Sequence, residues 1–195
     1  MMLTQQFPDT SLDDTLFVFA LEAEAGDVFT EVNTVFTGIG KVNAAIALTK
    51  AIAARKPKLI VNLGSAGSQR HGKGEVVCCN RFVQRDMDVT PLGFDRYQTP
   101  LSDTPVVLEH GSVIQGLPLE TCGSGDSFEV NHGDAPYDVV DMEAYVLALI
   151  ARSEGIPFVC LKYISDDAGS DAAADWAVQV LLAAEAFKRV LFSQV

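Results

Sequence analysis

Blocks of apolar residues along the chain alternate between two periods. Leu16 to Leu21 (LFVFAL) is a continuous apolar run, the pattern of a strand covered on both faces. Thr34 to Gly38 reads as a second short strand. The helix after it places Val42, Ala45, Ile46, Thr49, Ile52 and Ala53 on one face. Lys58 to Asn62 (KLIVN) predicts a strand that empties into the small residues 63–67, and Glu75 to Gln84 predicts a long one. Residues 85–98 carry no period and read as a loop of substance, while Pro105 to Gly123 suggests short strands. A terminal helix is predicted over Ala172 to Phe192, with Trp176, Val180, Ala183, Phe187 and Val190–Leu191 on its buried stripe. Strand–helix alternation of this kind predicts an α/β fold: three layers, with a central mixed, mainly parallel twisted sheet flanked by helices.

One unit concentrates the candidate chemistry. From Val140 to Gly169 the chain reads VDMEAYVLALIARSEGIPFVCLKYISDDAG. Tyr145, Ala148, Leu149 and Ile150 recur at helical spacing, Gly155 stops the helix, and the apolar run from Pro157 ends in Ser165-Asp166-Asp167. Ligands of open α/β sheets bind beyond the carboxyl ends of strands, which makes Asp166 a site candidate. Glu143 stands at the start of the same unit. Each acid has an ordinary structural reading as well, Glu143 as a first-turn acid and Asp166 as a helix N-cap. A further pair, Glu22 and Glu24, follows the first strand, and Glu22 reads as a solvated turn residue.

Composition narrows the function classes. At 195 residues the chain predicts one domain, residues 15–195, preceded by a loose polar extension over 1–14. A formal charge of −12 argues against nucleic acid or an anionic membrane as partner, since both require a basic face. No apolar run approaches the roughly 20 residues of a membrane span, and the first residues do not form a signal peptide, so a cytoplasmic protein is expected. Cysteines 78, 79, 122 and 160 lack metal-ligand spacing, and Cys78 and Cys79 should face opposite sides of a strand. Neither a metal nor a cofactor is expected.

The glycine-rich stretches are weak signals singly. Gly38-Ile39-Gly40-Lys41 lacks both the third glycine of a dinucleotide fingerprint and the spacing of a phosphate loop. Ser65, within Gly64-Ser65-Ala66-Gly67, offers a hydroxyl where small residues let a ligand approach. Phe128, just past Gly125-Asp126-Ser127, either stacks on a flat ring or caps the core.

Taken together, seven segments resemble the nucleoside phosphorylase/nucleosidase superfamily, and within it the 5′-methylthioadenosine/S-adenosylhomocysteine nucleosidases. They are Ala20-Leu21-Glu22-Ala23-Glu24, Thr37-Gly38-Ile39-Gly40-Lys41-Val42, Asn62-Leu63-Gly64-Ser65-Ala66-Gly67, Asp86-Met87-Asp88-Val89-Thr90, Gly125-Asp126-Ser127-Phe128, Val140-Asp141-Met142-Glu143-Ala144 and Ile164-Ser165-Asp166-Asp167-Ala168. They appear in the family's order from about residue 16 to the C-terminus.

The resemblance implies hydrolysis of the N-glycosidic bond of an adenine-type nucleoside. It makes Asp166 the acid that protonates the base, with Ser165 beside it, and Glu24 the carboxylate that activates water, with Ser65 a helper. Glu143 and Met142 match the residues at the sugar, Phe128 the ring that stacks on the base, and the Glu129 backbone its edge reader. Lys162 stands where an arginine often helps hold the water, Glu129 replaces an apolar residue, and Leu92 replaces an aromatic that lines a neighbouring subunit's site. A hairpin usual in the family between Glu24 and Thr34, and a helix usual between Pro105 and Gly123, look missing. The resemblance also implies a homodimer whose interface includes the 85–98 loop, where Met87, Leu92, Phe94 and Tyr97 interrupt a polar stretch. Two alternatives stand beside hydrolysis. A phosphorylase would need cations for phosphate, and the loop after the first strand has Glu22 and Glu24 but no arginine. A nucleoside-binding protein without turnover would have no use for a water-activating acid.

Overall fold

A computed structural model of the chain describes residues 3, 6–127, 135–168, 176 and 179–192. Eight strands form one mixed sheet: β1 (Thr15–Phe19), β2 (Thr34–Phe36), β3 (Leu59–Gly67), β4 (Val76–Gln84), β5 (Leu108–Glu109), β6 (Leu119–Ser124), β7 (Val139–Asp141) and β8 (Phe158–Asp166). Their path runs β2-β1-β3-β7-β6-β4-β5, and β8 pairs with both β3 and β4. Pairings β1–β2, β1–β3, β3–β8, β4–β6 and β6–β7 are parallel, whereas β3–β7, β4–β5 and β4–β8 are antiparallel. The expected mixed, mainly parallel sheet is therefore present. It also closes on itself, because β3, β8, β4, β6 and β7 pair in a ring, sealed by Gly67 opposite Val140.

Burial on both faces explains the apolar runs. In β1, Leu16 and Val18 point into one core cluster and Phe17 and Phe19 into another. The first cluster lies beneath α2 (Lys41–Ala54) and α3 (Ala144–Ser153), reached through Leu48, Ile52, Tyr145 and Leu147. The second lies beneath α4 (Ala183–Phe192), where Phe187 and Leu191 meet the aromatic group Phe17, Phe19 and Phe29. Helices thus cover both faces, in three layers. A short helical turn, α1 (Glu22–Ala25), follows β1 directly. Cys78 and Cys79 fall in opposite clusters, as period-2 geometry requires, and all four cysteines are free and buried. Among the described residues no group of His, Cys, Asp and Glu could hold a metal, and no helix is long and apolar enough to cross a membrane.

Several expectations need correction. β3 does not stop at Asn62 but continues through Gly67, because β8 pairs with it along its length, from Ile60↔Phe158 to Gly67↔Asp166. The buried face of α2 is Ala44, Leu48 and Ile52, while Val42 and Ile46 are 68% and 50% exposed. Two apolar stripes compete on this alanine-rich helix, and the one bearing small Ala44 fits against the sheet. Within the N-terminal stretch, Leu3 is buried, and Phe7 and Leu12 pack on the second cluster. Ala172 lies outside the described residues; what is described of the terminal helix is Trp176, Gln179, a 3-10 turn over Val180–Leu182, and α4.

Candidate active site

A cavity of about 210 Å³ opens where β1, β3, β7 and β8 end. Glu24, Ser65, Met142, Glu143, Ser165 and Asp166 all line it, so six of the nine residues singled out from the sequence converge. Phe128 and Glu129 lie outside the described residues. Lys162 is absent from the wall.

Glu24 is buried at 3% exposure, whereas Glu22 is solvent-exposed, in line with its expected role as a turn residue. The α1 turn curls Glu24 back over the end of β1. Its Oε2 accepts from the backbone N–H groups of Ala20 (3.1 Å) and Leu21 (3.0 Å). Its Oε1 accepts from the Ser65 N–H (2.7 Å) and the Ser65 hydroxyl (2.8 Å). Both oxygens are thus aimed by donors from two adjacent strands.

Glu143 occupies the N-cap position of α3 without capping it. Its Oε1 instead accepts from the Gly40 N–H at 2.7 Å, where α2 begins. Gly40 holds φ +94°, a backbone conformation that side-chain-bearing residues rarely adopt, and this aims its N–H at the carboxylate. Burial, and then the charge of nearby Asp141, push the Glu143 carboxyl up to about 8. Asp141, one pleat further into the protein, is held below the usual range. Burial acts against its ionised form, but the Lys162 ammonium at 2.7 Å and donors from Ser124 and Ala144 outweigh it. Lys162 is 1% exposed and pairs with Asp141, which places it beneath the cavity and not in its wall. A lysine is shorter than an arginine and lacks its fork, so it stays in the floor beneath the cavity. Burial works against the Lys162 ammonium, but the charge of Asp141 leads the contributions that outweigh burial and raise the ammonium well above its ordinary value.

Asp166 ends β8 opposite Gly67. A Cβ on Gly67 would lie 2.6 Å from Asp166 Oδ1, so only glycine lets the two strand ends approach this closely. Asp166 Oδ1 accepts from the Ala168 N–H (2.9 Å), and Oδ2 accepts from the Ser165 hydroxyl (2.8 Å). Asp166 therefore belongs to the strand end and the cavity wall at 4% exposure.

Two cavity residues were not foreseen. Arg85, expected in a loop, is buried at 5% exposure. Its guanidinium donates to Ser127 Oγ (3.1 Å), to the Gly125 carbonyl (3.1 Å) and to the Ser127 carbonyl, tying down the segment that leads to Phe128. The aperiodic polar sequence around it gave no signal of burial. Trp176, expected on a buried helical stripe, is half-buried and lines the cavity, with its indole N–H donating to Ser65 Oγ at 2.8 Å. A lone tryptophan at a core-like position carries no mark of that contact. Near the mouth, Lys41 pairs with Asp86, Asp126 Oδ1 accepts the Lys41 N–H (2.8 Å), and Asp86 Oδ2 accepts the Asp126 N–H (2.9 Å). Three of the seven sequence segments are thereby stitched together.

Comparison with known proteins places the chain in a family. The profile of the phosphorylase superfamily matches residues 18–118 and 127–192. A 5′-methylthioadenosine/S-adenosylhomocysteine nucleosidase of Exiguobacterium sp. is 35% identical over 158 residues, covering 70% of this chain and 67% of the relative. The crystal structure of the Helicobacter pylori 5′-methylthioadenosine/S-adenosylhomocysteine nucleosidase superposes with a TM-score of 0.82 at 18% identity, covering 93% of this chain and 97% of that one. The Helicobacter pylori futalosine hydrolase gives 0.81 at 18% identity, covering 92% and 96%. At that identity the two structures bear on the fold alone.

Proposed function

The chain belongs to the phosphorylase superfamily, and from that membership we propose that it hydrolyses the N-glycosidic bond of an adenine nucleoside of the 5′-methylthioadenosine/S-adenosylhomocysteine type. The observation that carries the reading is the convergence of Glu24, Glu143 and Asp166 on one cavity, each oriented by its own donors. Adenine leaves poorly as an anion, so Asp166 delivers a proton to the base as the N-glycosidic bond to C1′ breaks. Glu143 engages the sugar hydroxyls, beside Met142. Glu24 takes a proton from the water whose oxygen bonds to C1′. Acid and base then act on either side of the scissile bond, the logic of an inverting glycosidase.

Water rather than phosphate fits the charge of the wall. The one cation lining the cavity among the described residues, the Arg85 guanidinium, is engaged by Gly125 and Ser127, and Glu24 faces the same space as the water-activating carboxylate. A phosphate dianion would be repelled. The test is adenine release from 5′-methylthioadenosine with and without inorganic phosphate. The expected result is free sugar at a rate indifferent to phosphate. A requirement for phosphate, with a sugar 1-phosphate as product, would overturn the reading.

We further infer a homodimer. Its support is an exposed apolar stripe: Phe36 (42% exposed), Ile39 (47%), Val42 (68%) and Ile46 (50%) follow one another on β2, the turn after it and the outer face of α2. Ile39 also lines the cavity, so a second copy seated here would border the site. Leu92, 74% exposed on the 85–98 loop, adds an apolar contact of the same kind.

A further inference from the structure

A tryptophan, a serine and a glutamate form a hydrogen-bonded line along the cavity wall. Trp176 Nε1 lies 2.8 Å from Ser65 Oγ, and Ser65 Oγ lies 2.8 Å from Glu24 Oε1. The direction of this line follows from the chemistry of its members. An indole N–H only donates, so Ser65 Oγ must accept from Trp176. The single hydroxyl hydrogen of Ser65 is then left for Glu24, whose carboxylate accepts.

The acceptor positions of Glu24 give the line its meaning. A carboxylate offers about four lone-pair positions. Three are taken by the backbone N–H groups of Ala20, Leu21 and Ser65, which cannot turn away. The fourth is taken by the Ser65 hydroxyl, the one donor of the set able to rotate. A water approaching Glu24 must therefore be admitted through Ser65, and the orientation of that hydroxyl matters to the reaction.

We propose that Trp176 is a positioning residue for hydrolysis: its indole N–H anchors Ser65 Oγ, about which the hydroxyl hydrogen turns away from Glu24 to make room for the nucleophilic water. The proposal rests on the hydrolytic reading above. It assigns Trp176 no contact with the reacting atoms. Its effect falls on turnover, because the water and not the nucleoside is what Glu24 and Ser65 hold.

Trp176→Phe keeps an aromatic ring, a smaller one, in the wall and removes the N–H. The expected result is a fall in kcat of about three- to tenfold, the scale of one neutral hydrogen bond, with KM changed less than about twofold. Ser65→Ala should lower kcat as well, and the double variant should be no slower than Ser65→Ala alone, because both substitutions cut the same line. Multiplying losses, or a loss carried by KM, would overturn the proposal. A second readout needs no turnover. The chain has a single tryptophan, so its indole N–H gives one proton–nitrogen correlation in an NMR spectrum. Ser65→Ala should move that resonance upfield as the hydrogen bond is lost. An unmoved resonance would overturn the contact itself. Absence of adenine release by the unaltered protein would instead strike at the hydrolytic reading and leave the resonance result standing.

Discussion

Lys162 Nζ lies 2.7 Å from Asp141 Oδ2 with both side chains shut away from solvent, and this pair forms the floor of the cavity. Removing Lys162 leaves the Asp141 charge in the interior with only the neutral donors of Ser124 and Ala144. Lys162→Met should therefore destabilise the protein by about 3–5 kcal/mol, as for other broken buried pairs. The check is urea unfolding of both proteins. An equally stable variant would show that Asp141 is satisfied by Ser124 and Ala144 alone.

Stability should also depend on pH through Glu143, and the sign is fixed. Its carboxyl is raised from 4.5 to about 8 in the folded protein. Below pH 4.5 the folded and unfolded states are both protonated there, and the contribution is complete. Between 4.5 and 8 the unfolded chain has released the proton and the folded one keeps it, so stability declines as pH rises. The slope from this single group is at most about 1.4 kcal/mol per pH unit. Asp141, held low, and Lys162, held high, titrate outside this window. Unfolding measured from pH 5 to pH 8 should show the decline, and Glu143→Gln should flatten it. The same slope in both proteins would remove Glu143 as its source.

Asp166→Asn and Glu24→Gln should separate the two halves of the reaction. Each is expected to lower kcat by about 10²–10⁴, the range for a lost general acid or base. Nucleosides whose base leaves readily without protonation should recover much of the loss in Asp166→Asn and none of it in Glu24→Gln. Equal recovery in both variants would contradict the division of roles.

Gly67→Ala tests the close approach of the strand ends. A methyl group 2.6 Å from Asp166 Oδ1 cannot be accommodated without moving the carboxylate. Turnover should fall at least about tenfold, through loss of the oriented acid, while the rest of the sheet stays paired. Circular dichroism together with adenine release distinguishes this outcome from unfolding. Full activity in the variant would mean that the Asp166 orientation is unimportant.

Val42→Lys places a charge in the exposed stripe and should convert the proposed dimer to monomer in sedimentation at micromolar concentration. A protein that is dimeric with or without the lysine would direct attention to another face.

The sheet was legible in the sequence because its signals are local, and most of the cavity because seven segments together resemble a known family. The run from Leu16 to Phe19 alternates between two cores, and Asp166 stands at an abrupt end to an apolar run. What escaped depends on partners far away in the chain. β3 runs past Asn62 because β8 lies beside it, which residues 58–67 alone do not reveal. The inward face of α2 was decided by the fit of Ala44 and Leu48 to the sheet, although Val42 and Ile46 are as apolar. Arg85 and Trp176 reach the cavity through contacts with Gly125, Ser127 and Ser65, each at least 40 positions away.

The ring of strands described above has a consequence for how much of the chain can vary. Ser65, on β3, has β8 on one side and, at the strand's end, β7 on the other, while Asp166 ends β8 against β3. Their positions are thus set by ladder pairings from within the sheet and owe little to the connections at its rim. Only nine residues link Glu24 to β2, and Leu119 follows Glu109 with no helix between. Such outer connections can be trimmed while the acids and the serine stay in register, so a smaller molecule is able to keep the whole of its chemistry.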